Sequence, residues 1–125
     1  MTLEEIWTAL QSYEGEGSKN FDLSGVRVQF YKGAMEIPLI AFHPSVPFDL
    51  SEGKLSELTD LLSGYGYELD CVEDSRNYKI NRSEDGQYLG RLTRDAFKLH
   101  AARTKELGWE TFSKMIAFHL GSALS

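Results

Sequence analysis

The sequence predicts a single α+β domain in which helices pack on an antiparallel sheet, with the element order α-ββ-α-ββ-αα. The 125 residues fit one domain over 1–125. Helical and strand periodicities both occur along the chain, and the strand patterns come in pairs joined by turn residues. Hairpins pair antiparallel, and helices segregated from them define the α+β class.

A first helix is predicted over residues 3–13. Thr2 and Glu5 form a capping-box pattern. Apolar side chains then recur at helical spacing, at Leu3, Ile6, Trp7, Leu10 and Tyr13. Glycines and polar residues over 15–25 predict a loop after this helix.

The first hairpin is predicted from two apolar patterns on either side of a short connection at 32–34. Residues 26–31 alternate between apolar and polar, as in a half-buried strand. An apolar run over 37–42 predicts the returning strand. Because Pro38 has no N–H group, this strand is expected at a sheet edge or with a bulge.

A second helix and a second hairpin are predicted next. Ser51 is a suitable N-cap for the helix, and Gly64 stands where a left-handed C-terminal cap belongs. The apolar stripe between them consists of Leu55, Leu58, Leu61 and Leu62. Alternation over 65–71 predicts a strand, followed by a turn at 74–77 and a strand that ends near Arg82. The Asp85-Gly86 pair predicts a further turn, with a short strand at 87–89.

Two helices are predicted to close the chain as a helical hairpin. Thr93 is a suitable cap for the first, over 94–107, and the second covers 110–120. The second is apolar around almost its whole circumference, so it is either central in the core or covered by a partner. In so small a domain we expect one side to face outward as an association surface. The residues expected on that surface are Phe112, Met115, Ile116 and Phe118.

The distribution of charge singles out the helix predicted at 94–107. The net charge is −6, yet basic residues are in excess over 76–114. On a helix, Arg91, Arg94 and Lys98 would lie broadly along one face. Such a face can dock on an acidic partner or contact phosphates. It can also be a solvated face, or pair with the acidic segment of this chain at 49–74. These alternatives stay open at this point.

Residues that commonly carry catalysis or bind metals form no recognisable motif. His100 and His119, on neighbouring predicted helices, would need further ligands to hold a metal. Cys71 has acidic neighbours and the parity of an apolar strand face, so a buried structural thiol is expected. The acidic cluster at 70–74 is expected to be a solvated turn. We therefore predict no cofactor and no metal site.

The sequence predicts a cytoplasmic protein that does not enter a membrane. Its single cysteine excludes an internal disulfide. The N-terminus is acidic and no apolar run follows, unlike a signal peptide. No segment approaches the ~20 apolar residues that a membrane-spanning helix needs.

These features favour a non-enzymatic protein-binding domain, such as an adaptor, an inhibitor or a small chaperone-like protein, which acts through its apolar C-terminal helix and charged surfaces. Small acidic secretion chaperones have a broadly similar order of elements, although no motif is shared. The expected partner is another protein or a second copy of this chain in a homodimer. Two alternatives remain: a nucleic-acid-associated regulator that uses the basic helix at 91–105, and a small enzyme with a site near His43 and Asp70.

Overall fold

A computed structural model describes residues 1–72 and 77–120 of the chain, without the side chains of Ala34 and Val72. The described part contains four α-helices and seven strands, which confirms the α+β class. The helices are α1 (Leu3–Ser12), α2 (Glu52–Gly64), α3 (Ala101–Leu107) and α4 (Trp109–Leu120). The strands are β1 (Lys19–Leu23), β2 (Val26–Lys32), β3 (Pro38–His43), β4 (Tyr67–Val72), β5 (Asn77–Arg82), β6 (Tyr88–Leu92) and β7 (Phe97–His100).

The strands form one antiparallel sheet in the order β1-β2-β3-β7-β6-β5-β4. Strands β1 to β3 make one meander, and β4 to β7 make a second. The two meanders join where β3 pairs with β7, which places both strands at the centre of the sheet. The chain crosses through α2 between the meanders, so β4 begins at the far edge.

The first helix begins as predicted. Its capping box is reciprocal: the Thr2 hydroxyl accepts from the Glu5 N–H at 3.2 Å, and the Glu5 carboxylate accepts from the Thr2 N–H at 3.1 Å. Two of the backbone N–H groups at the start of the helix, which have no partner within the helix, are thereby satisfied. On the inner side of the helix, Ile6 and Leu10 are fully buried.

The predicted loop at 15–25 is wrong in its second half, which is the edge strand β1. Phe21 lies opposite Val28, and Leu23 lies opposite Val26. Ser24 and Gly25 form the two-residue connection to β2, with φ values of 50° and 88°. Positive φ at both positions is the geometry that matches the twist of a hairpin.

The expectation that Pro38 marks an edge or bulged strand is also wrong, because β3 lies at the centre of the sheet. Pro38 is the first residue of β3 and lies opposite Lys32 of β2. Pairing with β7 starts only at Leu39. The missing N–H therefore takes no bond away from the β3–β7 ladder, and a first position tolerates proline.

The helix predicted at 94–107 is the largest error, since residues 97–100 form β7 and the helix begins at Ala101. Thr93 does act as a cap, but for a hairpin turn: its hydroxyl accepts from the N–H groups of Asp95 and Ala96 at 3.3 and 3.1 Å. Phe97 and Leu99 are fully buried by pairing with two neighbouring strands. This non-local pairing outweighs local helix propensity. The observed order is α-βββ-α-ββββ-αα.

The second helix and the strand after it match their predictions closely, apart from the residue in the left-handed conformation. Gly64 ends α2 in helical conformation, and the positive φ of 85° occurs at Gly66. The β4–β5 pairing continues to Val72 opposite Asn77. Most of the turn predicted at 74–77 lies outside the described residues.

Three helices lie on one face of the sheet and enclose a single core. The C-terminal pair is present, with α3 only seven residues long and in contact with α4. The buried residues of α1, α2 and α4 join the inward side chains of the strands in one cluster. The molecule is therefore a two-layer sandwich of helices and sheet.

Position 90 in β6 leaves no room for a Cβ atom, so we expect that it tolerates only glycine. A Cβ at this position would lie 2.6 Å from Cδ2 of Leu99, and closer still to the carbonyl oxygen of Lys98. We expect Gly90→Ala to lower the free energy of unfolding by about 2 kcal/mol or more through overpacking. In the control Gly53→Ala, which has open space in α2, we expect no loss and a gain of up to about 1 kcal/mol. Urea unfolding followed by circular dichroism measures both, and equal stability of Gly90→Ala and the parent would contradict the packing.

Candidate binding site on the polar face of the sheet

Strand alternation gives the sheet a second face, opposite the helices. On β2, Val28 and Phe30 point into the core, so Arg27 and Gln29 lie on the opposite side. The same alternation holds along the other strands, apart from the register shift between β5 and β6, where Leu89 is buried. We call this surface the polar face. The cross-strand pairs place one straight row of residues across it: Asn20, Gln29, Ala41, Lys98, Arg91, Lys79 and Asp70.

Three cations are neighbours in this row. Lys98 lies opposite Arg91, and Arg91 lies opposite Lys79, on strands β7, β6 and β5. Adjacent strands are about 4.8 Å apart. Like charges directly opposite one another destabilise a sheet, so this arrangement costs stability in the absence of an anion.

Two further nitrogen-bearing side chains belong to the same surface. Arg27 lies opposite His43 on the neighbouring strand β3. Burial lowers the pKa of His43, and the positive charges of Arg27 and Lys98 lower it further. We call these five residues the basic patch: Arg27, His43, Lys79, Arg91 and Lys98.

The cations of the basic patch have no carboxylate partner within the part of the chain that the structure describes. The ion pairs there join Lys54 to Glu57, Arg82 to Asp85, and Lys105 to Glu14. Two carboxylates are cross-strand neighbours of the patch, Asp70 opposite Lys79 and Asp22 opposite Arg27, but neither forms an ion pair with it. The patch therefore carries an excess of positive charge on a protein of net charge −6.

A cavity of about 400 Å³ lies at one end of the polar face, beside the β6–β7 turn. The Nε2 atom of His43 and the Nε atom of Arg91 are buried, and neither makes a hydrogen bond to the described residues. Buried polar atoms are normally paired. The described residues that line it are His43, Asn77, Arg91, Thr93, Asp95, Ala96 and Lys98.

Carboxylates bound the basic patch at both edges of the sheet. Asp22 lies opposite Arg27 on the edge strand β1. Glu68 and Asp70 lie on the other edge strand, β4, with the parity of the polar face. Asp70 accepts a hydrogen bond from the Asn81 amide at 2.8 Å. The positive region is therefore confined to the middle of the sheet.

The expectation that α4 offers an apolar side outward is wrong at three of its four residues. Phe112, Met115 and Ile116 have exposed fractions of 0, 1 and 1%. Phe118 is half-buried against the core, with the Lys54 ammonium 5.7 Å from its ring centre. The physical reason is their spacing, because residues 112, 115 and 116 lie on one side of α4 and that side packs on the core.

The three basic residues singled out from the sequence do not share a helix. Arg91 and Lys98 are nevertheless brought together as a cross-strand pair. Arg94 is exposed in the turn between them, where its carbonyl oxygen accepts from the Phe48 N–H at 2.8 Å. The sequence analysis missed Arg27, Lys79 and His43, although the alternation of their strands places all three on the polar side.

The two helical histidines considered as a metal pair lie on different sides of the sheet. His100 is the N-cap of α3, where its Nδ1 atom accepts from the Arg103 N–H at 3.3 Å. His119 packs on the core side, with its ring centre 4.0 Å from that of Phe97. Across residues 1–72 and 77–120, no three His, Cys, Asp or Glu side chains form a group that could hold a metal.

The structure does not bring His43 and Asp70 together as an enzyme site. They lie on β3 and β4, which are four strands apart in the sheet, or roughly 19 Å. Cys71 is exposed rather than buried, since β4 is an edge strand. Glu73 and Asp74, the other members of the predicted acidic cluster, lie outside the described residues.

Comparison with known proteins assigns neither a family nor a function to this chain. No protein-family model matches the chain, and neither a curated protein nor a solved structure is significantly similar to it. None of the helices in the described ranges is both long and apolar enough to cross a membrane.

The buried ring of His119 predicts a loss of stability in mild acid. Burial lowers its pKa to about 3, whereas an unfolded histidine titrates near pH 6.5. Between these values the unfolded chain binds the proton and the folded chain does not. The free energy of unfolding should therefore decrease as the pH is lowered below about 6.5, by up to about 1.4 kcal/mol per pH unit from this group.

Urea unfolding at pH 7, 6 and 5 tests this expectation against the variant His119→Phe, which keeps an aromatic ring but cannot titrate. The variant should show a shallower pH dependence than the parent. His43 and His100, whose pKa values are also lowered by burial, titrate in both proteins and cancel in the difference. Equal pH dependence in parent and variant would contradict the assignment.

Proposed function

We propose that this chain is a non-enzymatic protein-binding domain that docks an acidic segment of another protein on its polar face. The basic patch supports the proposal. Its four permanent cations lie on one sheet, with Lys98, Arg91 and Lys79 on three neighbouring strands and Arg27 beyond β3. Among the described residues no carboxylate forms an ion pair with them. An adaptor, an inhibitor or a chaperone-like protein would each use such a surface.

An acidic partner relieves the local cost of this arrangement. Lys79, Arg91 and Lys98 repel one another in the free protein because they occupy adjacent positions across the sheet. Carboxylates laid along the row would convert that repulsion into attraction. Complementary charge of this kind sets specificity and association rate more than raw affinity.

The limited extent of the patch favours a short acidic peptide segment over a nucleic acid. The affinity of a protein for nucleic acid depends on how many phosphates its Lys and Arg side chains neutralise. Here the positive region covers only the middle strands, and Asp22, Glu68 and Asp70 would repel a phosphate backbone at both edges.

The test uses a fluorescent, glutamate-rich ten-residue peptide as the acidic probe, with binding measured by fluorescence anisotropy. Reversal of two central charges in Lys79→Glu/Lys98→Glu should weaken binding about tenfold or more, because attraction becomes repulsion at the middle of the row. The matched control Lys114→Glu changes an exposed lysine on α4, on the opposite side of the molecule. It should bind like the parent.

Three results would overturn the proposal. The first is equal binding of the peptide by the parent and the doubly reversed variant. The second is tighter binding of a single-stranded oligonucleotide than of the peptide, which would assign the patch to nucleic acid. The third is a parent dimer in sedimentation experiments that the double reversal dissociates, which would assign the patch to a second copy of this chain.

A further inference from the structure

We infer that the cavity at the end of the polar face, where His43, Arg91 and Lys98 meet, is a binding pocket for one carboxylate side chain of the partner. This inference rests on the proposed function and names the group that the docked segment presents. The pocket lies beside the β6–β7 turn and is lined by residues of four strands, β3, β5, β6 and β7.

Two residues of the lining carry an unpaired nitrogen atom, which favours a ligand with oxygen acceptors. The Nε–H of Arg91 is a donor, and it is buried without an acceptor among the described residues. Nε2 of His43 is buried and unpaired in the same way. An unsatisfied buried polar group costs about 1–3 kcal/mol. A carboxylate has two oxygens and accepts from both, and with arginine it forms a bidentate pair that uses Nε.

The charge of the lining suits a monoanion. Arg91 and Lys98 contribute two positive charges, and Asp95 contributes one negative charge. Among the described residues the balance is one positive charge, which matches a single carboxylate group. Glutarate can place one carboxylate in the pocket and keep the other in solvent, whereas a phosphate dianion brings both charges into it. The lining amide of Asn77 is neutral and does not change this balance.

The pKa of His43 is expected to change when a ligand binds in the pocket. The charged groups that act on it from the strands beside β3 are Arg27 of β2 and Lys98 of β7, and both favour the neutral ring, as burial does. Arg91 and Asp95 line the same cavity. A bound carboxylate stabilises the imidazolium, so binding should raise the pKa of His43, and lower pH should strengthen binding.

The experiment titrates the folded protein with glutarate and, separately, with inorganic phosphate, while two-dimensional NMR follows the His43 ring and the backbone amides of the β6–β7 hairpin. Glutarate should move these signals and raise the pKa of His43. Arg91→Gln should weaken glutarate binding about tenfold. Arg91→Lys keeps the charge but lacks the fork of nitrogen donors, and it should rescue binding only in part. Removal of the opposing charge in Asp95→Asn should tighten binding.

Arg94→Gln is the matched control, because it removes an arginine from the same hairpin outside the cavity lining. It should bind glutarate like the parent. Unchanged His43 signals at saturating glutarate would overturn the inference, as would tighter binding of phosphate than of glutarate. Equal glutarate binding by Arg91→Gln and Arg94→Gln would also overturn it. Amide spectra of each variant show whether the fold is intact.

The peptide and glutarate measurements separate this inference from the proposed function. If the peptide binds and Lys79→Glu/Lys98→Glu abolishes binding, but Arg91→Gln has no effect on either ligand, the docking function stands and the carboxylate pocket fails. If glutarate binds at His43 and Arg91 but the acidic peptide does not bind, the pocket stands as a small-anion site and the docking function fails.

Discussion

The antiparallel pairing of β3 with β7 is the interaction on which the rest of this structure depends. It joins a meander of three strands to a meander of four and makes one wide sheet. In the core, the pairing places the ring centres of Phe42 and Phe97 6.3 Å apart, in an edge-to-face contact. On the other side it places Lys98 beside Ala41 and next to Arg91. The register of one pair of strands therefore determines both the core and the polar face.

The packing of the helices on the sheet also decides which side chains are left at the surface. With seven strands beneath them, three helices find enough apolar surface to bury their inner sides, and α4 is absorbed into the core. The apolar residues that made this helix look like an association surface are the residues that hold the two layers together. The opposite face keeps its cations and lacks an apolar cover, so charge rather than hydrophobic area distinguishes the molecule's surface.

Part of the candidate site was visible in the sequence for an incorrect structural reason. Arg91 and Lys98 are seven residues apart, which is two turns of a helix, so they would share a helix face. A hairpin with its turn at 93–96 brings the same two residues together across the strands. Arg27, His43 and Lys79 belong to strands that are distant in sequence from this hairpin. Their contribution depends on strand order, which no local pattern encodes.

The sequence by itself determined the features that depend on near neighbours: the capping box of α1, the alternation of β2, the stripe of α2 and the helical character of α4. Only the tertiary structure decided that 97–100 is a strand, that Pro38 begins a central strand and that the cations share one face. The physical reason is that a strand is stabilised by hydrogen bonds and packing with partners far along the chain. A helix closes its hydrogen bonds within a few residues, so its pattern can be read locally.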